Sequence, residues 1–353
     1  MAYPRIVIDL EKIRVNVNYL LDISKKSGID LMGITKVFSG SVEVAKLYKE
    51  CGVKYLGDSR IENLKLYRDI DIPKVLIRLP MKSQVEEVVK YCDISMNSEI
   101  EVVEALDKEA KKQSKIHKII LMIELGDLRE GILPKDVEVY MERIINLTNI
   151  KLEGIAVNLT CYGGVIPSPT NLGELEKIAN FIEKKYNLKL NIISGGNSSS
   201  VELLLENKLP KKINNLRLGE SLAFGREAAY GNHIDGCHGD AITLEAEIIE
   251  LKEKDSVPKG EIGMNAFGEK PVFKDVGKMV RGIIAIGRQD VDQGNIVPKD
   301  DRLEIIGASS DHLIMDLTNA KDEYKVGDII SFSTEYGGLL QLSTSKYIKK
   351  TYK

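Results

Sequence analysis

The sequence predicts a (β/α)8 barrel, the TIM-barrel fold, followed by a mostly β domain. Two observations favour the barrel: short apolar runs recur along the first part of the chain, and longer amphipathic stretches separate them. A third observation favours a second domain, because glycine-rich turns and alternating apolar runs replace this rhythm after residue 225. We therefore predict a barrel domain at residues 1–235 and a β domain at residues 236–353.

The predicted barrel strands are runs rich in Leu, Ile, Val and Met, and about eight of them suffice to close a barrel. They lie at residues 31–34, 55–57, 75–77, 94–96, 119–123, 152–157, 190–193 and 215–218. Between them, helices are predicted where charged residues cover the face opposite the apolar one, as at 42–50, 100–112, 135–147 and 171–186. In the second domain, strands are predicted at 241–251, 279–287, 303–306, 313–317, 328–332 and 339–342.

Composition excludes several classes of function. The 353 residues include 50 Lys and Arg against 53 Asp and Glu, a net charge of −3, so no basic field attracts nucleic acid or anionic lipid. The start of the chain becomes charged too soon for a signal peptide, and no apolar run approaches the ~20 residues of a membrane helix. We expect a cytoplasmic protein with no nucleic-acid or membrane partner.

Cysteine and histidine positions give no metal prediction. The four cysteines lie far apart without CxxC spacing, which indicates reduced thiols rather than disulfides or a zinc site. His233, Cys237 and His238 invite a metal interpretation, but two further ligands are not visible, and we interpret this segment as the interdomain link. His117 precedes a strand and is expected at the surface.

A barrel presents its catalytic residues at the carboxyl ends of its strands. The first barrel strand runs into residues 33–40, so Lys36 is predicted at this end of the barrel, although a solvated lysine at a strand end is the alternative. The seventh strand runs into a Gly/Ser segment at 194–200 before a helix, which could cradle a phosphate or be only a capped turn. The eighth strand carries Arg217 and ends at Gly219, where a second phosphate contact could form.

This combination of lysine, two phosphate-type loops and arginine resembles the alanine racemase family, the fold-type III enzymes that use pyridoxal 5'-phosphate (PLP). The opening residues 4–16 are similar to that family's start, and the resemblance covers nearly the whole chain. Segments 35–40, 124–131 and 268–271 most resemble the ornithine racemase branch. The resemblance implies a PLP-dependent racemase that interconverts L- and D-ornithine by proton transfer at Cα, with alanine or lysine as alternative substrates.

The resemblance also implies roles for individual residues. Lys36 would bind the cofactor aldehyde covalently and act as one of two acid/base groups. Asn197, Ser198 and Gly219 would hold the phosphate. Arg217 would face the pyridine nitrogen and, because a guanidinium keeps its proton, would leave that nitrogen unprotonated.

Other positions match the family less closely. Arg129 would reach the cofactor's phenolic oxygen, and Asn158 occupies the place where many alanine racemases stack a histidine under the ring. Met122 stands where many of them carry a modified lysine near this arginine, and Gly40 stands where they carry a tyrosine that contacts the phosphate. The resemblance therefore implies an altered charge arrangement and one phosphate contact fewer.

Racemisation requires an acid/base group on each face of the substrate. The family usually supplies the second group as a tyrosine from the partner subunit's β domain, but the corresponding residues 263–271 contain none. We predict Tyr336 for this role, with His312 and Asp311 next, although each could equally be a turn residue. The resemblance implies a homodimer with shared active sites.

Substrate choice and two other functions stay open from the sequence. The distal ammonium of ornithine would favour a carboxylate such as Asp127, Glu130 or Asp311. A non-catalytic PLP carrier is a second interpretation, but such carriers resemble the barrel alone, so the β domain counts against it. A metal-assisted PLP lyase or dehydratase acting on a D-hydroxy amino acid is a third, and stimulation by zinc or manganese would favour it.

Overall fold

The structure, a computed structural model, describes residues 3–353 and divides them into two compact units. One unit is Leu10–Gly239, and the other combines residues 3–9 with Asp240–Lys353. The predicted domain division differs from this one in two ways. It ends the barrel domain at residue 235 rather than Gly239, and it assigns the beginning of the chain to the barrel. The first strand, β1 (Arg5–Ile8), pairs instead with strands of the second unit. Residues 1 and 2, included in the predicted barrel domain, lie outside the described residues.

The predicted barrel is confirmed: within Leu10–Gly239, eight parallel strands close in chain order. The strands are β2 (Asp30–Ile34), β3 (Tyr55–Asp58), β4 (Lys74–Leu76), β5 (Ile94–Asn97), β6 (His117–Ile123), β7 (Ile150–Val157), β8 (Ile192–Ser194) and β9 (Asn215–Leu218). The helices are α1 (Leu10–Lys26), α2 (Val42–Cys51), α3 (Ile61–Leu66), α4 (Val85–Tyr91), α5 (Ile100–Lys112), α6 (Val137–Ile144), α7 (Pro169–Tyr186), α8 (Val201–Leu205) and α9 (Glu220–Phe224).

Pairing of β2 with β9 closes the barrel, with Met32 opposite Arg217. Apolar side chains from alternating strand positions fill the interior, which is why the strands read as nearly continuous apolar runs. The buried members of this core are Met32, Ile34, Val75, Ile94, Met96, Ile120, Met122, Ala156 and Ile192.

The second unit is mostly β, as predicted, and residues 3–9 and 240–353 contribute one eight-stranded sheet. Its order is β12-β15-β10-β11-β14-β13, with β1 pairing β10 antiparallel and β16 parallel. The further elements are β10 (Ile242–Asp255), β11 (Lys278–Ile284), β12 (Ile296–Pro298), β13 (Glu304–Ala308), β14 (Leu313–Asp316), β15 (Ile329–Thr334), α10 (Tyr336–Thr344) and β16 (Lys349–Tyr352). No helix within residues 3–353 is long and apolar enough to cross a membrane.

The strand predicted at 339–342 is wrong, because these residues lie in α10. Leu339 and Leu342 are both fully buried, and a spacing of three residues places them on one face of a helix. Gly338 allows this helix to lie close to the backbone before β12, because a Cβ at this position would be 2.6 Å from the carbonyl oxygen of Asn295. The apolar run therefore packs as a helix against the segment before β12.

His117 is buried rather than at the surface, with 3% of the residue exposed. It is the first residue of β6, and its Nε2 lies 2.8 Å from the hydroxyl oxygen of Ser95 on β5. Burial lowers the pKa of the imidazole to about 4, and the nearby charge of Lys115 acts in the same direction. The neutral imidazole is therefore the form that the fold accommodates.

We expect acid to destabilise the wild-type protein more than a His117→Gln variant. The folded-state pKa of about 4 lies below the ordinary value of 6.5, so the unfolded chain binds more protons between these values. The contribution to stability is complete above pH 6.5 and is lost progressively as the pH falls from 6.5 to 4. At about pH 5 the loss should be about 2 kcal/mol, measured by urea unfolding there and at neutral pH.

A His233→Gln variant provides the control, since it replaces an exposed histidine by the same residue. The same pH dependence in wild type and His117→Gln would show that the buried imidazole does not cause the acid sensitivity.

Candidate active site

The structure places the predicted barrel residues at the mouth, the end of the barrel where the carboxyl ends of the strands meet. They come from five different strands or the loops that follow them, which a closed parallel barrel brings to one rim. Lys36 follows β2, Arg129 follows β6, Asn158 directly follows β7, Asn197 and Ser198 follow β8, Arg217 lies in β9, and Gly219 directly follows β9.

Lys36 stands on a buried polar network that the sequence analysis missed. It is the first residue of a 3-10 helix, Lys36–Phe38, and Thr35 immediately precedes it. The hydroxyl of Thr35 donates to the carboxylate of Asp58 at 2.7 Å and lies 2.8 Å from the hydroxyl of Tyr67. Burial raises the pKa of Asp58, and its hydrogen bonds oppose this shift. The network anchors the start of the turn that carries Lys36. In the sequence it was indicated only by Asp58, a polar residue at the end of the apolar strand β3.

The guanidinium of Arg217 is buried and held by neutral acceptors. It donates to the hydroxyl of Ser194 and the carbonyl oxygen of Val157, both at 2.7 Å, and to Oδ1 of Asn158 at 3.4 Å. Burial lowers the pKa of Arg217 to about 10, and the charge of Glu130 opposes this. The side chain is therefore still a cation at neutral pH, although no acidic side chain within residues 3–353 forms an ion pair with it.

The side chain of Asn197 joins the loops that follow β7 and β8. Its Oδ1 accepts from the N–H of Ser199 at 2.8 Å, and its Nδ2 donates to Oδ1 of Asn158 at 3.0 Å and to the carbonyl of Leu159 at 2.9 Å. Both ends of the amide are thus used within the protein, so its side chain positions the Gly/Ser loop.

Ser198 connects this loop to the next one. Its hydroxyl oxygen accepts from the N–H of Ser221, the second residue of α9, at 3.1 Å. This bond brings the loop after β8 beside the loop after β9, where Gly219 lies. A Cβ at Gly219 would be 3.1 Å from the Cβ of Ile34, so a larger residue would crowd the end of β2.

Three buried polar atoms near these loops have no hydrogen-bond partner within residues 3–353: Nδ2 of Asn158, Oγ of Ser199 and Oγ of Ser221. Leaving a buried polar group unsatisfied costs about 1–3 kcal/mol, so such a cluster favours a polar ligand. The sequence analysis missed Ser199 and Ser221, whose signal was their place beside the predicted Ser198 and Gly219.

Asp127, a predicted candidate for the substrate ammonium, holds a neighbouring loop instead. It is fully buried and accepts hydrogen bonds from the N–H groups of Tyr162 at 3.0 Å, Gly163 at 3.1 Å and Val165 at 3.3 Å. These donors use both carboxylate oxygens. Asp127 therefore shapes the loop that follows β7.

Arg129 finds its ion partner in the adjacent residue. Its guanidinium donates through Nε and Nη2 to the two carboxylate oxygens of Glu130, and this pairing raises the pKa of Arg129. Met122 lies in the apolar core of the barrel, so the residue at that position contributes no charge here.

The candidates for the second acid/base group lie in the second unit. Tyr336 is the first residue of α10. Asp311 and His312 lie in the turn between β13 and β14, with Oδ1 of the aspartate 3.5 Å from Nδ1 of the histidine, and both side chains are exposed. Nowhere in residues 3–353 do three or more His, Cys, Asp or Glu side chains group as metal ligands.

A family model described as "Alanine racemase, N-terminal domain" matches residues 8–227. The chain belongs to this family. Among its curated relatives, an ornithine racemase of Acetoanaerobium sticklandii is 48% identical over 99% of both chains. A lysine racemase of Thermotoga maritima is 37% identical over 100% of this chain and 99% of that protein.

Solved structures of the alanine racemase family share the fold. The alanine racemase from Bartonella henselae with covalently bound pyridoxal phosphate superposes with a TM-score of 0.76, is 17% identical and covers 100% of both chains. At this identity the likeness concerns the fold.

Replacing Asp127 by Asn should loosen the loop after β7 in this member of the alanine racemase family. An amide NH2 would oppose at least one backbone donor, so the amides of Tyr162, Gly163 and Val165 should exchange at least ~10-fold faster in hydrogen-exchange measurements. Asp136→Asn is the matched control, because that side chain makes no capping bond at the start of α6. Unchanged protection in Asp127→Asn would contradict the anchoring role.

Proposed function

We propose that this chain is a PLP-dependent amino-acid racemase, an isomerase, that interconverts L- and D-ornithine. The 48% identity to an ornithine racemase across almost the whole chain supports the reaction and the substrate. The observation that carries the proposal in the structure is the buried cation Arg217, held at the mouth beside a cluster of unsatisfied polar atoms.

The residues present fit PLP. A phosphate group is an acceptor, and the hydroxyls of Ser199 and Ser221 are donors without an acceptor in the described chain. Ser198 and Gly219 lie on the same two loops, and Asn197 holds one of them in place. Nδ2 of Asn158 offers a further donor beside Arg217. We assign Ser198, Ser199, Ser221 and Gly219 to the phosphate, and Asn158, Arg129 and Arg217 to the ring.

PLP, when bound through Lys36, supplies an electron-withdrawing group that makes the Cα proton of the amino acid acidic. Lys36 would take or return this proton on one face of the substrate. Arg217 keeps its own proton at neutral pH and would donate to the ring nitrogen without protonating it. This contact would limit the spread of negative charge into the ring and so would favour return of the proton to Cα over side reactions.

The opposite face requires a second group, for which Tyr336 is our proposal and His312 and Asp311 are the alternatives. A phenol can give and take a proton, as this step requires. We further propose a homodimer in which the second unit of each subunit completes the barrel site of its partner. Exposed apolar side chains support an interface, with Leu128 76% and Tyr162 75% exposed on the barrel loops and Met264 77% exposed in the second unit.

Two alternative functions have less support. A non-catalytic PLP carrier would leave the second unit without a role, whereas the ornithine racemase relative matches 99% of this chain. A metal-assisted PLP lyase would be favoured by stimulation with zinc or manganese. Alanine and lysine stay alternative substrates of the same reaction. The cytoplasmic location predicted from the sequence stays a prediction.

Wild-type protein loaded with PLP should convert either enantiomer of ornithine to the racemate, and Lys36→Ala should lower this rate by roughly 10³-fold or more. The variant should also lose the visible absorbance of covalently bound PLP, since no amine remains at this position. Polarimetry and absorbance measure the two effects. Lys177→Ala, on the exposed face of α7, is the control and should behave as wild type. An unchanged spectrum in Lys36→Ala would remove the basis of the mechanism.

Tyr336→Phe should abolish deuterium exchange at Cα from one enantiomer and retain it from the other, because only one face loses its acid/base group. Exchange in D2O from each pure enantiomer measures this by mass spectrometry. Tyr347→Phe, an exposed tyrosine of the same unit, is the matched control. Near-normal racemisation in Tyr336→Phe would eliminate this residue and direct attention to His312 and Asp311.

Mixing the two inactive variants tests whether the sites are shared. In a hybrid dimer of Lys36→Ala and Tyr336→Phe subunits, one site would carry both substitutions and the other neither, so random mixing should restore roughly a quarter of wild-type activity. Absence of recovery, with hybrid dimers present, would place both groups in one chain.

A further inference from the structure

Most of the buried carboxylates on the loops at the barrel mouth are occupied by donors of the protein itself. Glu124 accepts from the N–H groups of Leu128 and Arg129 at 3.1 Å each, and Asp127 accepts from three backbone N–H groups. Glu227 likewise binds the N–H groups of the turn that follows it. Asp58 is used by the network beneath Lys36. These four side chains define loop shape and have little capacity left for a ligand.

Glu130 differs, because the backbone places it at the mouth and its carboxylate bonds to a charged side chain, the guanidinium of Arg129. The loop after β6 returns to that strand: the N–H of Ile132 donates to the carbonyl of Met122, and the N–H of Glu124 donates to the carbonyl of Ile132, both at 2.9 Å. Gly131 has a φ of +141°, and a Cβ there would lie 2.5 Å from the nitrogen of Glu124. Glu130 is therefore held directly beyond the end of β6.

The charge of Glu130 acts on both arginines of the site. It pairs with the guanidinium of Arg129 and also acts on the buried Arg217. The side chain of Glu130 is 15% exposed, whereas that of Arg129 is 41% exposed. A carboxylate offers about four acceptor positions and a bidentate guanidinium uses two, so a second cation can bind the same group.

We propose that Glu130 selects a diamino acid by accepting the distal ammonium of the substrate beside Arg129. The inference rests on the proposed racemase function and adds the residue that sets its substrate class. Two arginines at the mouth would repel a cationic side chain, and Glu130 is the carboxylate in contact with one of them. The side chain of Glu130 is thus a specificity residue, and Lys36 performs the proton transfer for any amino acid.

The test compares ornithine with 2-aminopentanoate, which has the same carbon chain without the distal ammonium, in the PLP-loaded enzyme. In Glu130→Gln, kcat/KM for ornithine should fall roughly 10- to 100-fold, mainly through KM, because a charge-assisted hydrogen bond is lost. For 2-aminopentanoate the change should stay below about threefold. Glu104→Gln is the matched control, since it removes a Glu carboxylate paired with Arg143 on the outer helices.

A charge-retaining variant tests the same contact even if Glu130→Gln does not fold. Glu130→Asp withdraws the carboxylate by about one methylene, so the ratio of kcat/KM for lysine to that for ornithine should rise at least ~3-fold. Equal losses for ornithine and 2-aminopentanoate in Glu130→Gln, or an unchanged ratio in Glu130→Asp, would overturn the inference and leave Glu130 only a support for Arg129. A wild-type enzyme that racemises no amino acid would contradict the proposed function instead.

Discussion

Closure of the barrel between β2 and β9 is the constraint on which the candidate site depends. These strands come from the two ends of the barrel sequence, yet Met32 pairs with Arg217 and Gly33 with Leu218. A side chain at Gly219 would touch Ile34, which shows how near the two strand ends lie. Because all eight strands run parallel, the closure that joins the first to the last also gathers the loops after β6, β7 and β8 on the same rim.

Within that rim, a buried guanidinium organises the polar groups. Placing a cation in a barrel core is costly unless hydrogen bonds replace its water, and Arg217 donates three such bonds to groups at the ends of the two neighbouring strands β7 and β8. Ser194 extends this hydrogen-bond network to β9, because its hydroxyl accepts from Arg217 and donates to Oδ1 of Asn215 at 2.7 Å. The acceptors are neutral, so the positive charge is not cancelled locally. Near Arg217, the other charged pair of the mouth is Arg129 with Glu130.

Acidic residues of one short segment perform different tasks for a reason of geometry. Glu124 and Asp127 face the backbone N–H groups of adjacent turns and fix their conformation. Glu130, a few residues later, faces a guanidinium because the chain has by then returned to β6. The residue types are alike, and the direction of each side chain is set by the turn in which it lies. Because Glu124 and Asp127 fix the backbone, the loop can be rigid while the carboxylate of Glu130 is available to a ligand.

The sequence by itself determined the local features of this protein. Apolar runs marked the barrel strands, and helical periodicity predicted 100–112 to the residue, because both patterns report burial against immediate neighbours. The placement of Lys36 and Gly219 after barrel strands followed from the same runs and the rule that strand ends share a rim. The proposed roles of these residues came from the family resemblance and stay predictions.

Only the tertiary structure decided features that depend on partners distant in the chain. β1 belongs to the second unit because β10 and β16 supply its hydrogen bonds, and residues 339–342 form a helix because their apolar face packs inward. His117 is buried by β5 and its neighbours, although Lys115 and Lys118 lie close to it in the sequence. Whether Asp127 is available to a ligand likewise depended on donors that folding brings from residues 162–165. Periodicity in the sequence indicates which residues are buried. It does not indicate which distant residue will bind a buried polar group, because the fold brings the two together.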